Sequence, residues 1–187
     1  MNVWDSAIIT DKGLALQSKL IEGNSLEITR AIASSGYITP GLLHSQTEVI
    51  DAKMELQFRA VSYPEYGRCK LPLFLTNDDV TESFKCRSIY IMANDPDEGE
   101  IVFFIAQAVT AEEGTTVPTA SEMPGYSAEW TFYFQYGRAD NVTVLVDPTG
   151  YVSRTEMEEY VASAMSGFSV SAITNEEIDA AFESAST

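Results

Sequence analysis

Two almost entirely apolar segments joined by a short polar turn constrain this chain more than any other feature. Residues 89–93 and 101–105 carry nearly no polar side chains, and the segment between them contains Pro96 and ends at Gly99. Proline fixes one φ angle of a turn and glycine can adopt a positive φ, so this segment suits a chain reversal. Strands with one face in water alternate apolar and polar residues, which these segments do not. The pattern therefore predicts a central β-hairpin covered on both faces.

Period-two patterns predict further strands on either side of this hairpin. Apolar residues share one parity in five other segments: residues 26–32, 54–60, 71–75, 130–136 and 142–146. Residues 63–67 have the composition of a turn, and residues 110–128, rich in Thr, Pro, Gly and Glu, that of an exposed loop. Residues 36–50 show no clean period and are predicted to form a loop with one helical turn.

A first helix is predicted near the N-terminus, with Thr10 or Asp11 as its cap and Gly23 as its stop. Its apolar stripe would consist of Leu14, Leu20 and Ile21.

The chain changes character after residue 150. Capping boxes begin at Ser153 and Thr174, and the first opens a helical apolar stripe of five residues: Met157, Tyr160, Val161, Ala164 and Met165. This stripe could dock on the chain's own sheet or pair with symmetry-related copies. Its position after a turn-rich boundary favours pairing, which makes these residues the predicted oligomer interface.

These patterns together predict an α+β fold in two parts. Residues 1–150 would form an N-terminal helix with a mainly antiparallel β-sheet, and residues 151–187 a short C-terminal helical tail.

Composition and charge restrict the partners. Hydrophobic residues make up 45 % of the chain, enough to bury a core, and 28 acidic against 11 basic residues give a net charge of −17. That charge disfavours nucleic acid and anionic membrane surfaces, and favours a protein partner that is basic or apolar. The sequence has neither an apolar run of the roughly 18–20 residues that cross a bilayer nor a signal-peptide pattern. We therefore expect a cytoplasmically made protein without membrane insertion.

Catalytic and metal-binding motifs are sparse, so a non-enzymatic protein without cofactor or metal is predicted. The single histidine, His44, rules out a two-histidine zinc site and is more typical of a surface or packing residue than of a catalytic one. No phosphate-binding loop or nucleophile elbow occurs. A pair of catalytic carboxylates cannot be identified from sequence, because its spacing is spatial. Four acidic residues near the hairpin turn could bind calcium but lack EF-hand spacing, and a solvated turn is favoured: Asp95, Asp97, Glu98 and Glu100.

Two further sets of side chains have alternative interpretations. Cys69 and Cys86 are predicted to be buried free thiols, with a disulfide as the alternative. The aromatic stripe of residues 130–136 is predicted to face the core. The alternative is a sugar-stacking surface, on which a glycan or a partner would contact three residues: Trp130, Phe132 and Tyr136.

In the order of its motifs, the chain resembles the phage tail-collar fibre family over roughly residues 5–150. Four segments carry the resemblance: residues 8–17, with a Thr-x-x-Gly start, residues 26–33, the hairpin 87–101, and residues 141–147. In place of the family's Gly-Asp-Gly-like turn after the second segment, this chain has Ser34-Ser35-Gly36.

The resemblance implies a structural role. It implies an attachment module of a tail fibre, forming a trimer or another homo-oligomer on the baseplate of a phage, prophage or tailocin particle. The alternative function is a host-recognition module that binds cell-surface glycan.

Overall fold

A computed structural model describes residues 3–4, 7–21, 26–60, 62–65, 68–135 and 142–144. All of them belong to the first of two units, Met1–Gly150. The second unit, Tyr151–Thr187, lies outside the described residues, and so does the tail predicted there.

The described residues form eleven strands, one α-helix and one short 3-10 helix. In chain order these are β1 (Ile8–Ile9), α1 (Asp11–Ile21), β2 (Leu26–Ser34), the 3-10 helix (Pro40–Leu42), β3 (Ala52–Phe58), β4 (Ser62–Glu65), β5 (Arg68–Thr76), β6 (Phe84–Cys86), β7 (Ser88–Asp95), β8 (Gly99–Gln107), β9 (Thr115–Val117), β10 (Ser127–Gln135) and β11 (Val142–Val144).

Nine of the strands form one curled sheet, a half-barrel. Its order is β1-β8-β7-β2-β3-β5-β10, with β4 beside β5 and β11 beside β2. Every pairing in this sheet is antiparallel except that of β11 with the start of β2. Strands β6 and β9 form a separate two-stranded ribbon.

The predicted α+β class is wrong. Strands account for 51 % of the described structure and helices for 10 %, with α1 as its one α-helix. The difference arises partly in segments predicted as turn or loop, because residues 62–65 form β4 and residues 115–117 form β9. These strands are too short and polar to show a period-two pattern, and they are fixed by pairing with neighbouring strands.

The predicted central hairpin is confirmed. Strands β7 and β8 pair from Ser88↔Gln107 to Asp95↔Gly99, and nearly every residue in both strands is buried. Gly99 has a φ of 79°, the positive value that the turn requires.

A β-bulge in this hairpin sets which side chains share a face. Ile91 pairs with Phe104 and Met92 with Val102, so Phe103 is the extra residue on β8. As a result, both Phe103 and Phe104 belong to the main core, with ring centroids 5.6 Å apart, although they are adjacent in sequence.

The opposite face of the hairpin is covered by the segment 36–50. Ile38 and Leu43 from this segment join a second core with residues of β2, β7 and β8. Buried Gln107 ties the segment down, because its side chain accepts the Ile38 N–H at 2.7 Å and donates to the Ile38 carbonyl at 2.8 Å. The predicted loop with one helical turn is thus confirmed, and it is a structural layer.

Candidate functional site

The start of α1 packs against the bulge of β8. Thr10 is fully buried, and its backbone N–H donates to the Phe103 carbonyl at 3.1 Å. Its hydroxyl donates to the Val102 carbonyl and accepts the N–H of Gly13 at 3.0 Å. Thr10 is thus the N-cap residue of α1. Its hydroxyl accepts a backbone N–H that has no partner within the first turn of a helix. The Thr-x-x-Gly segment therefore both starts the helix and joins it to the hairpin.

Only glycine fits at the point of closest approach. A Cβ added to Gly13 would lie 2.2 Å from the Phe103 carbonyl oxygen, well inside contact distance. The buried side of the helix includes Gly13 and Leu16, whereas Leu14, which was predicted to belong to the apolar stripe, is 51 % exposed.

The acidic turn of the hairpin is held by lysines of α1. Lys19 Nζ lies 2.7 Å from Asp95 Oδ1 and 2.7 Å from Asp97 Oδ2, and Lys12 Nζ lies 2.6 Å from Glu98 Oε2. Asp95 Oδ1 also accepts the backbone N–H groups of Asp97 and Glu98 at 2.8 and 3.2 Å. The carboxylates are thus paired with cations of the same chain, which is the arrangement of an ion-paired turn.

These contacts shift the pKa values of the carboxylates. Burial alone would raise the pKa of Asp95, but hydrogen bonds from Lys19 and from two backbone N–H groups outweigh it and hold that pKa below its ordinary value. The hydrogen bonds from Arg30 lower the pKa of Glu100 in the same way. The same pairing raises the pKa of Lys19.

Asp95 is expected to contribute stability that acid removes. Because its folded pKa lies below the unfolded value of about 3.9, the contribution is present above that pH and is lost as pH falls through the folded pKa. Asp95→Asn retains an acceptor for the turn N–H groups, whereas Asp95→Ala loses it and should cost about 1 kcal/mol more. Urea unfolding at pH 7 and pH 3 measures both effects. A stability difference between wild type and Asp95→Asn that is equal at the two pH values would contradict the ion pair.

The aromatic strand β10 packs against the main core. Phe134 is buried, and Trp130 and Phe132 are half-buried against that core. The rings of Phe104 and Phe132 meet edge to face with centroids 5.6 Å apart, and Trp4 and Trp130 do so at 5.9 Å. The geometry agrees with the core interpretation of this stripe. The glycan-contact interpretation stays a prediction, and Tyr136, its third residue, lies outside the described residues.

The two cysteines are buried and the single histidine is exposed. Cys69 and Cys86 are free, buried thiols, as predicted, and burial raises their pKa values to about 11 and about 12. Burial therefore disfavours the reactive thiolate form of both residues at neutral pH. His44 is exposed, and its backbone carbonyl accepts the Asp11 N–H at 2.7 Å.

A cleft of about 410 Å³ opens between the β5–β6 loop and the facing end of β2 and start of β3. We call it the β5–β6 cleft; its walls are Ser35, Lys53, Met54 and residues 79–84. Its apolar residues, Met54, Val80 and Phe84, are half-buried and pack on the main core. Its other side chains carry hydroxyl, carboxylate or ammonium groups, and most of them are exposed.

One wall of the cleft is fixed by a buried asparagine. Asn77 is fully buried, and its side-chain amide donates to the carbonyls of Pro118 and Met123 at 3.1 and 2.8 Å. Its backbone N–H donates to Tyr126, and its carbonyl accepts the N–H of Val80 at 3.1 Å. The start of the β5–β6 loop is thereby held to the segment that precedes β10.

Ser35 lies in the opposite wall of the cleft. Its N–H donates to the Asp51 carbonyl at 3.1 Å, and its carbonyl accepts Arg87 Nη1 at 2.9 Å. Its Oγ is shielded from solvent and has no hydrogen-bond partner. The backbone of Ser35 is therefore fully paired while its side chain is not.

The predicted oligomer residues, Met157, Tyr160, Val161, Ala164 and Met165, lie outside the described residues, so that interface stays a prediction. Within the described part of the chain, the helices lack the length and apolar character needed to cross a bilayer. In the same part, no three His, Cys, Asp or Glu side chains are grouped as metal ligands.

Sequence reasoning missed the β5–β6 cleft. Its residues come from separate parts of the chain, the end of β2, the start of β3 and the β5–β6 loop, and the sheet topology brings them together. The available signal was the polar run from Asn77 to Ser83 after a strongly apolar strand, which marks a loop but does not indicate what faces it.

Comparison with known proteins adds no relative: no protein-family model, curated protein or solved structure matches the chain significantly.

Proposed function

We propose that this protein is a non-enzymatic structural component of a phage or phage-derived tail, which attaches a tail fibre to the baseplate through protein–protein contacts. One observation supports this most: the four segments that carry the family resemblance adjoin in the fold. The start of α1 stands on β8, β7 pairs with β2, and β11 pairs with the start of β2. The likeness therefore concerns one contiguous part of the sheet.

The proposed mechanism combines buried contact area with multivalency. Several copies of the chain on one tail particle, each in a trimer, would convert weak single contacts into strong attachment. The net charge of −17 favours a docking surface on the baseplate that is basic or apolar.

Two measurements test the attachment role. Light scattering coupled to size exclusion of the full chain should give three times the mass of one chain. Tail particles made without this gene should lack fibres in negative-stain electron micrographs, and a plasmid copy should restore them. A monomer at high concentration, together with unchanged fibres on the deletion particles, would overturn the proposal.

A further inference from the structure

We propose that the β5–β6 cleft receives a basic side chain, arginine or lysine, from a protein partner. Its volume of about 410 Å³ lies in the range of small-molecule sites, about 300–1,000 Å³, so one long side chain and the backbone beside it can enter. The inference deepens the proposed function and rests on it for the identity of the partner. It names the place on this chain where a basic docking surface of the baseplate would bind.

Two carboxylates give the cleft its charge. Asp79 and Glu82 line it and are exposed, and within the described part of the chain neither lies within ion-pair distance of a lysine or arginine. The lysine that lines the cleft, Lys53, is neutralised by Asp51, whose Oδ1 lies 2.8 Å from its Nζ. The cleft therefore carries an excess of negative charge, which attracts a cation and repels an anion.

The cationic side chains closest in sequence to these carboxylates are engaged elsewhere. Lys85 Nζ donates to the Glu112 carbonyl at 2.7 Å, and the guanidinium of Arg87 donates to two backbone carbonyls at 2.7 and 2.9 Å. These bonds tie both side chains to other segments of the fold. A cation from another molecule can therefore pair with the carboxylates of the cleft without displacing one of these contacts.

The apolar residues of the cleft suit the stem of a basic side chain. Lysine and arginine carry several methylene groups below the charged head, and these groups pack on apolar surface while the head stays in water. Met54, Val80 and Phe84 are half-buried and supply that surface. A bare metal ion would use only the carboxylates and leave the apolar surface uncovered, whereas a basic side chain uses both.

Both sides of the cleft are ordered before a ligand binds. Asn77 fixes the start of the β5–β6 loop through its amide, while Met54 lies on β3, which pairs with β2. An ordered wall loses little conformational entropy on binding, which favours a ligand that makes few contacts.

Saturation-transfer difference NMR on the full chain tests the proposal with short capped peptides. The probe carries a single central arginine among glycines and alanines, and its matched twin carries citrulline, which has nearly the same shape and no charge. The arginine peptide should bind with a dissociation constant below about 10 mM, and the citrulline peptide about threefold more weakly or worse. A third peptide, whose guanidinium is carried on a single methylene, should also bind more weakly, because it loses the apolar contact.

Two double variants of equal net charge show whether the cleft is the binding site. Asp79→Asn with Glu82→Gln should weaken binding of the arginine peptide about fivefold, the effect of losing exposed ion pairs. Glu48→Gln with Glu112→Gln removes two exposed carboxylates outside the cleft and should change the affinity by less than about twofold. Thermal melts should show both variants folded, since all four side chains are exposed.

Three results would overturn the proposal: no binding of the arginine peptide, equal binding of the citrulline peptide, or equal affinity of the two double variants. The deletion particles test the attachment role separately. Fibres lost from those particles without peptide binding would refute the cleft and keep the attachment role. Peptide binding with unchanged fibres would do the reverse.

Discussion

Gly13→Ala is expected to lower the free energy of unfolding by about 2 kcal/mol, although alanine is the better helix former. The new methyl group would lie 2.2 Å from the Phe103 carbonyl oxygen, so α1 must move away from the bulge of β8. Overpacking of this kind costs about 1–3 kcal/mol. The displacement would also strain the bonds that Thr10 makes to β8, and together these losses outweigh the gain of about 1 kcal/mol in helix propensity.

Gly41→Ala is the matched control for this substitution. A Cβ at Gly41 has no atom within 4 Å, so alanine should be neutral there or stabilise the fold by up to about 1 kcal/mol. Urea unfolding of the two variants distinguishes the steric effect of a methyl group at residue 13 from the general effect of replacing a flexible glycine. If Gly13→Ala proved as stable as Gly41→Ala, the first turn of α1 would not pack closely against β8.

Features with a local signal were predictable from the sequence. The apolar hairpin could be predicted because its turn residues and its unbroken apolar flanks lie within one short segment. The cap at Thr10 could be predicted because a hydroxyl residue before an apolar period is itself the helix signal. The acidic turn was correctly interpreted as a turn, but its partners Lys12 and Lys19 are more than 75 residues away, and only the fold brings them near.

Features that depend on pairing between distant segments were not predictable. The bulge opposite Met92 breaks the strict alternation of β8, so that Phe103 and Phe104 share a core; nothing in the sequence marks the extra residue. The exposure of Leu14 was not predictable for the same reason. The position of β8, and not the helix alone, decides which face of α1 is buried. The β5–β6 cleft is the clearest case, since its walls are brought together by the topology of the sheet.

Phe104→Ala is expected to have the largest effect, a loss of about 3–5 kcal/mol in the free energy of unfolding. The ring of Phe104 is almost completely buried and meets three others, those of Phe103, Phe132 and Phe134, at centroid distances of 5.6, 5.6 and 5.8 Å. Strand β8 and strand β10 are far apart in the order of the sheet, so these contacts form only because the sheet curls. Removing the ring should therefore leave a cavity and also destabilise the curled arrangement of the sheet that brings β8 and β10 into contact.

A double-mutant cycle identifies the role of the aromatic strand. Phe104→Ala and Phe132→Ala should show a coupling of about 0.5–1.5 kcal/mol, because their rings meet edge to face. Thr131→Ala serves as the control on the same strand, since this side chain is exposed and should change stability by less than about 1 kcal/mol. A Phe132→Ala variant as stable as Thr131→Ala, with no coupling to Phe104, would mean that the stripe does not hold the sheet together. The aromatic rings of β10 would then be better interpreted as a binding surface.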